Sequence, residues 1–201
     1  MVAAVRVAPP RVPPEADQRV IMYDVDWRSY EVMLAVRGES DVPRMTYLEG
    51  ALELMRPSRS HESIKKLIAN MFEAYALRVG LVYDGYGSMT LRSGPRERGI
   101  EPDECYAIGA PKDRPDLAIE VNWTSGGLDK LAVYAGLQVR EVWMWEENTI
   151  RVYVLRGETY DLAPTSALVP GIDLARMAEL VARGDSQSET VRAFVDAVPP
   201  G

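Results

Sequence analysis

Apolar residues recur at two periods along this chain, and each change of period marks an element. In DWRSYEVMLAVRG, Trp27, Tyr30, Met33 and Leu34 fall at helical spacing behind Asp26, a residue suited to an N-cap, and Gly38 stops the run. MTYLEGALELM alternates instead around Glu49-Gly50, the pattern of a two-stranded hairpin. Pro57 and Ser58 open the longest helical run, in which Ile64, Leu67, Ile68, Met71, Phe72, Tyr75 and Val79 share a face and Gly80 ends it. A stripe of that length predicts a helix lying flat on a sheet. LVYDGYGSMTLR is strand material broken at Asp84-Gly85, and SGPRERG is a basic, glycine-rich loop. PDECYAIG and PDLAIEVN read as strands and GLDKLAVYAGL as a helix. VREVWMWE and TIRVYVLR are strands joined at Glu147-Asn148, with a third short strand near Thr159 to Leu162. Strands, one helix, then strands again predict an α/β fold: a mixed β-sheet flanked by helices. ARMAELVARG and SQSETVRAFVDAV follow as helices, the second opening on a capping box, Ser186-x-x-Glu189.

Composition adds boundaries to this pattern. Residues 1–20, rich in proline and charge, predict a flexible N-terminal arm; 21–174 form one domain, and 175–201 a helical extension packed on it. With 201 residues, 47% hydrophobic and 26% charged, one soluble core is expected. A formal charge of −7 argues against a protein that coats nucleic acid through bulk electrostatics. The only cysteine, Cys105, has no disulfide partner, and no Cys/His spacing suits structural zinc, which fits a reducing cytoplasm. Arg6 and repeated prolines interrupt the opening residues, and no run of about 18 uncharged apolar residues occurs, so neither an export signal nor a membrane span is expected.

The chemistry gathers between Glu101 and Lys130. Charged groups on half-buried strands cost several kcal/mol unless paired or bound to a metal, yet acids recur here on apolar strands. Taken as a hairpin whose loop is GAPKDR, the two strands set Cys105 opposite Ala118 and therefore Asp103 opposite Glu120. Facing Cβ atoms lie about 4.5 to 5.5 Å apart, and two carboxylates so placed can share a divalent cation. Asp116 is four residues from Glu120 along one strand, roughly 13 Å away, and belongs at the mouth. Asn122 returns to the face of Glu120, and the main-chain carbonyl of Val121 lies between them as a further oxygen for the metal. Lys130, after a Gly126-Gly127 bend, is placed to orient or deprotonate a water and to offset charge on a phosphate. His61, the only histidine, sits near the start of the longest helix, where spare N–H groups and the dipole favour anions. It is expected to point at the same site.

TYLEGALELMRPSRSHE, GSMTLR, EPDECYAIG, PDLAIEVNWTSGGLDKLAVYAGLQVREVWMWE, RVYVLRGETY and LVPGIDL together resemble the Uma2 or DUF820 family of endonucleases, of the PD-(D/E)XK restriction-endonuclease-like superfamily. The resemblance spans residues 44–174. It implies a restriction-endonuclease-like core and a magnesium-dependent phosphodiesterase, with Mn²⁺ as a substitute. Asp103 and Glu120 would be the metal ligands, Lys130 the lysine displaced from strand to helix, and His61 or Glu62 an added ligand or water-positioning group. Asn122 stands where the wider superfamily has its lysine. Nucleic acid, DNA before RNA, is the implied partner, acted on by a homodimer.

Each residue also has a plainer reading. Asp103 and Glu120 can be strand-end carboxylates held by Arg96, Arg98 or Arg114. Lys130 can be a solvated lysine and His61 a cap or packing residue. Trp123, Trp143 and Trp145 can be core rather than base-stacking platforms. Glu101 and Glu104 face away from Asp103 or flank the entrance, and Arg92, Arg96, Arg98, Lys112 and Arg114 surround it as phosphate contacts or solvated loops. A non-catalytic binding module on the same fold is the alternative to the nuclease. A metal-free carboxylate pair acting on a glycoside, with acids about 5 to 9.5 Å apart, is a third.

Overall fold

The structure is a computed structural model that describes residues 16–122 and 126–199. Its elements run β1 (Gln18–Met22), α1 (Trp27–Arg37), β2 (Arg44–Leu48), β3 (Ala51–Arg56), α2 (Arg59–Val79), β4 (Tyr83–Gly85), β5 (Leu91–Ser93), β6 (Arg98–Ile100), β7 (Glu104–Ile108) and β8 (Leu117–Val121). After these come α3 (Lys130–Leu137), β9 (Glu141–Glu146), β10 (Thr149–Arg156), β11 (Thr159–Ala163), α4 (Leu174–Arg183) and α5 (Gln187–Val195). Local chemistry sets most boundaries. Asp26 caps α1 by accepting from Ser29 N, Ser58 caps α2 by accepting from His61 N, and Gly80, at φ 70°, closes α2 in the left-handed conformation. The β2–β3 turn has both Glu49 (φ 42°) and Gly50 (φ 89°) in the left-handed region, as a two-residue hairpin requires.

The strands divide between two sheets. The mixed sheet expected from the sequence has six strands in the order β11-β10-β9-β8-β7-β4, with β8 and β9 parallel and joined through α3. The other sheet, β1-β3-β2-β6-β5, is antiparallel throughout. On one face of the mixed sheet, Leu117, Ile119, Val121, Trp143 and Trp145 pack against α2, α4 and α5. On its other face Ala118, Val142 and Met144 meet Val133, Tyr134 and Leu137 of α3, together with Leu91 and Ile100 of the antiparallel sheet. Helix α1 covers that sheet's outer face through Tyr30, Met45, Tyr47 and Leu52. The fit is tight at Gly99, where an added Cβ would lie 2.2 Å from Tyr30 Oη.

Two expectations change. Gln18, Arg19 and Val20, placed by the sequence in a loose arm, belong to β1, which pairs with β3 from Gln18↔Arg56 to Met22↔Leu52. Alternation too short to stand out from the proline-rich stretch before it becomes a strand because β3 offers an open edge. The break expected at Asp84-Gly85 falls later, since both residues pair with β7. Residues 1–15 and Trp123 lie outside the described residues. No helix among the described residues is long and apolar enough to cross a membrane.

Candidate active site

The β7–β8 hairpin has the register expected from the sequence. Cys105 pairs with Ala118 and Glu104 with Ile119, so Asp103, one residue ahead of β7, comes opposite Glu120. Every residue of β8 is buried, so its two faces are read by period two. Leu117, Ile119 and Val121 point toward α2, while Ala118 and Glu120 point toward α3.

Glu120 is 1% exposed, and α3 holds both of its oxygens. Lys130 Nζ donates to Oε2 and Tyr134 Oη to Oε1. The two donors are one helical turn apart on one face of α3. Burial, and then the Glu120 charge, push the Tyr134 phenol well above its usual range, so it stays a neutral donor. Asp129 caps α3 by accepting from Ala132 N at 3.0 Å, which fixes where the helix begins and so where Lys130 stands.

Asp103, also 1% exposed, is held differently. Its Oδ2 accepts from Val121 N at 2.7 Å, continuing the hairpin through a side chain. Its Oδ1 meets His61 Nε2 at 2.9 Å and pairs with Arg44 Nη1. Arg44 Nη1 is fully buried against that carboxylate. His61 is itself fully buried, and its Nδ1 lies 3.0 Å from Asp17 Oδ2. Burial alone would raise the Asp17 pKa, but hydrogen bonds from His61 and from Ser58 N outweigh it and hold the group at about 2. Glu62 continues the chain, accepting from Arg44 Nη2 at 2.8 Å and pairing with Lys65 at the same distance. Burial works against the Glu62 charge, and the Lys65 and Arg44 cations overcome it, lowering its pKa.

A cavity of about 300 Å³ opens beside Glu120 and Lys130, lined also by Arg19, Asn122, Gly127 and Glu146. Asn122 Nδ2 donates to Glu146 Oε1 at 2.7 Å. A larger hollow of about 600 Å³, between Arg96, Arg98 and Gly136, contains none of these acids. Among the described residues no three His, Cys, Asp or Glu side chains converge as a metal cluster. Glu120 borders the cavity, and each of the two hairpin carboxylates is held by a basic partner, Glu120 by Lys130 and Asp103 by Arg44.

The structure thus brings Lys130 to Glu120 and His61 to Asp103. Val121 adds its N–H to Asp103. Asp116 stays at the hairpin mouth, where it accepts from Ile108 N at 2.9 Å and pairs with Lys112 and Arg140. Glu101 pins the antiparallel sheet, receiving Arg37 through two 2.5 Å bonds, Thr90 Oγ1 at 2.9 Å and Met45 N at 2.9 Å. Glu104 is partly buried, and burial raises its pKa. Arg92 and Arg98 pair with Glu31 and Glu49 rather than rimming the cavity. Trp143 and Trp145 are core residues. Sequence reasoning missed Arg44, Glu53, Tyr134, Asp17 and Arg19. Tyr134 had a signal, since it stands one helical turn after Lys130. So did Glu53, a lone acid in the apolar strand ALELM that is only 1% exposed.

The family model of Uma2, described as "Putative restriction endonuclease", matches residues 27–181. The chain belongs to the Uma2 family. Asp103, Glu120, Lys130 and His61 all lie inside the matched residues, whereas Asp17 and Arg19 precede them. Among solved structures, a "putative nuclease belonging to DUF820 from Anabaena variabilis" is similar to this Uma2 chain. It is 17% identical, covers 79% of this chain and 94% of its own, and has a TM-score of 0.45. No curated protein matches the chain.

Proposed function

We propose that this Uma2 protein is a metal-dependent endonuclease that hydrolyses phosphodiester bonds of nucleic acid, DNA being the favoured polymer. The observation that carries the reading is the hairpin register, which sets the buried Asp103 and Glu120 opposite each other with Lys130 on one of them. Two hard carboxylates fit Mg²⁺, which takes one or two protein carboxylates and completes its shell with waters and substrate phosphate. Asp103 and Glu120 would hold the ion, with the Val121 carbonyl as a further oxygen. A bound Mg²⁺ supplies polarisation of the phosphoryl oxygen and a more acidic water. The remaining work falls to the chain. His61 and Val121 N fix the Asp103 carboxylate, and Tyr134 fixes Glu120. Lys130, whose ammonium now balances Glu120, is the cation placed to offset charge gathering on the phosphate.

The test is cleavage of a labelled DNA duplex in Mg²⁺ or Mn²⁺. Asp103→Asn and Glu120→Gln, close in shape to the parent, should each lose more than about 100-fold in rate while remaining folded by circular dichroism. Wild-type activity should stop in EDTA. Equal cutting by parent and both variants sinks the assignment. Sedimentation velocity checks the homodimer that belongs to this reading, and a single 22.4 kDa species would remove it.

One observation favours a non-catalytic binding module instead: Arg44, His61 and Lys130 already satisfy the two carboxylates. The two readings part in a calorimetric titration of Mn²⁺ into the protein. Heat that disappears in Glu120→Gln supports the nuclease, and no heat at millimolar metal supports the module.

A further inference from the structure

Helix α1 is apolar on both of its faces. Trp27, Tyr30, Met33 and Leu34 pack into the antiparallel sheet, yet Val32, Ala35 and Val36 lie on the side turned to solvent. A helix that is apolar all round is normally covered all round. Val36 is 82% exposed and Val32 53%, and with Ala35 between them they form one stripe at helical spacing. Tyr23, just ahead of the helix, and Val42, just behind it, are exposed as well. With Val20 these make five of the eight large apolar side chains left exposed among the described residues, all gathered into residues 20–42. Charge marks the two ends of the same stripe. Arg28 stands four residues before Val32, in the first turn, and Glu39 three after Val36, just past the Gly38 cap, and both are exposed. The helix dipole disfavours a cation at its start and an anion at its end, so neither placement serves α1 itself. On its own chain Arg28 only adds to the larger effect of Ser29 in holding the Asp26 carboxyl below its usual range.

We infer that this face of α1 is an interface with a second copy of the chain, the two helices running antiparallel about a two-fold axis level with Leu34. Val32 of each copy then meets the partner's Val36, and the small Ala35 side chains near the axis let the helices approach closely. Arg28 of each comes to the partner's Glu39, and Tyr23 is carried toward the partner's Val42. A stripe that begins on a cation and ends on an anion complements itself when reversed, whereas a parallel pair would set Arg28 against Arg28. That self-complementarity selects a second copy over an unrelated partner. The 11 residues of α1 span about 16 Å, which puts the face at the small end of specific interfaces and the dimer's Kd at about 10 µM. The inference supplies a surface for the homodimer of the nuclease reading but depends on neither metal nor cleavage.

The experiment is sedimentation velocity of the full chain at concentrations on either side of that Kd. Wild type should pass from 22.4 kDa toward twice that mass as concentration rises. Val36→Glu, which places a charge in the middle of the stripe, should weaken association more than about tenfold. Arg28→Glu and Glu39→Arg should each weaken it about tenfold by setting like charges together, and the double variant Arg28→Glu/Glu39→Arg should recover most of the parental affinity. Arg28→Glu suits the dipole of α1, so its loss of association would not come from a frayed helix. Leu162→Glu, at an exposed position on the edge strand β11, should associate as the parent does. If wild type dimerises and the α1 variants dimerise equally well, or the double variant recovers nothing, the dimer uses another face and the inference is wrong while the homodimer stands. A wild type that stays at 22.4 kDa throughout overturns the inference and the homodimer together, and leaves DNA cleavage by the single chain to its own assay.

Discussion

Glu120 is gripped from a single helix by a cation and a phenol, and the two grips do different things. Lys130 balances charge, while Tyr134, held neutral by burial, only aims one oxygen. Tyr134→Phe should therefore cost about 1 to 2 kcal/mol of stability, the usual loss when a buried acceptor is left without its donor. On the proposed nuclease reading it should lower kcat about tenfold with KM little changed, because the carboxylate it misplaces would act in the reaction rather than in substrate binding. An equal rise in KM would instead place Tyr134 in the binding of substrate. Asp17 makes a prediction of the opposite kind, in stability and not in rate. Its folded pKa of about 2 lies below the ordinary 3.8, so its contribution is complete above the higher value and is lost as pH falls through the lower one. Urea denaturation between about pH 5 and pH 2 should show wild type losing about 2 kcal/mol that Asp17→Asn does not lose. Parallel curves for the two proteins would remove Asp17 from the acid transition.

At the scale of elements, what carries its own signal was legible. The caps at Asp26, Ser58 and Ser186 and the stop at Gly80 are local chemistry, and each sits where the spacing placed it. So does the hairpin register, because strands of period two with one face buried cannot slip by a residue without turning their apolar side chains out of the core. What was not legible depends on partners distant in sequence. β1 is a strand only because β3 has an edge, and Glu53 matters only because β1 and the turn into α3 meet at its carboxylate. That meeting is tested at Gly127, whose missing side chain makes room for the Arg19–Glu53 pair. Gly127→Ala should cost about 1 to 3 kcal/mol by overpacking and shift the start of α3, lowering cleavage through Lys130. Thermal melting and the cleavage assay check it together. A variant as stable and active as the parent would show that the turn gives way freely.

Over the whole molecule the site is a seam between layers. β8 supplies Glu120, the residue ahead of β7 supplies Asp103, and α3 closes over the first. The inner face of the antiparallel sheet brings Arg44, and α2 brings His61 to the second. Sequence spacing could pair the acids because they share a hairpin, but it could not find Arg44, which reaches Asp103 from the other sheet. Because five elements converge, an ion at this seam would bind the folded chain and not the unfolded one, and would stabilise the whole domain by mass action. At a metal concentration about ten times Kd the gain is about 1.4 kcal/mol, which for a chain of 201 residues raises Tm by about 3 °C. Millimolar Mn²⁺ should produce such a rise in wild type and in Lys130→Gln, which keeps both carboxylates. Asp103→Asn and Glu120→Gln should each show little or none. An equal rise in all four proteins would mean that Mn²⁺ stabilises the chain from somewhere else, and Asp103 and Glu120 would then be structural carboxylates held by Arg44 and Lys130.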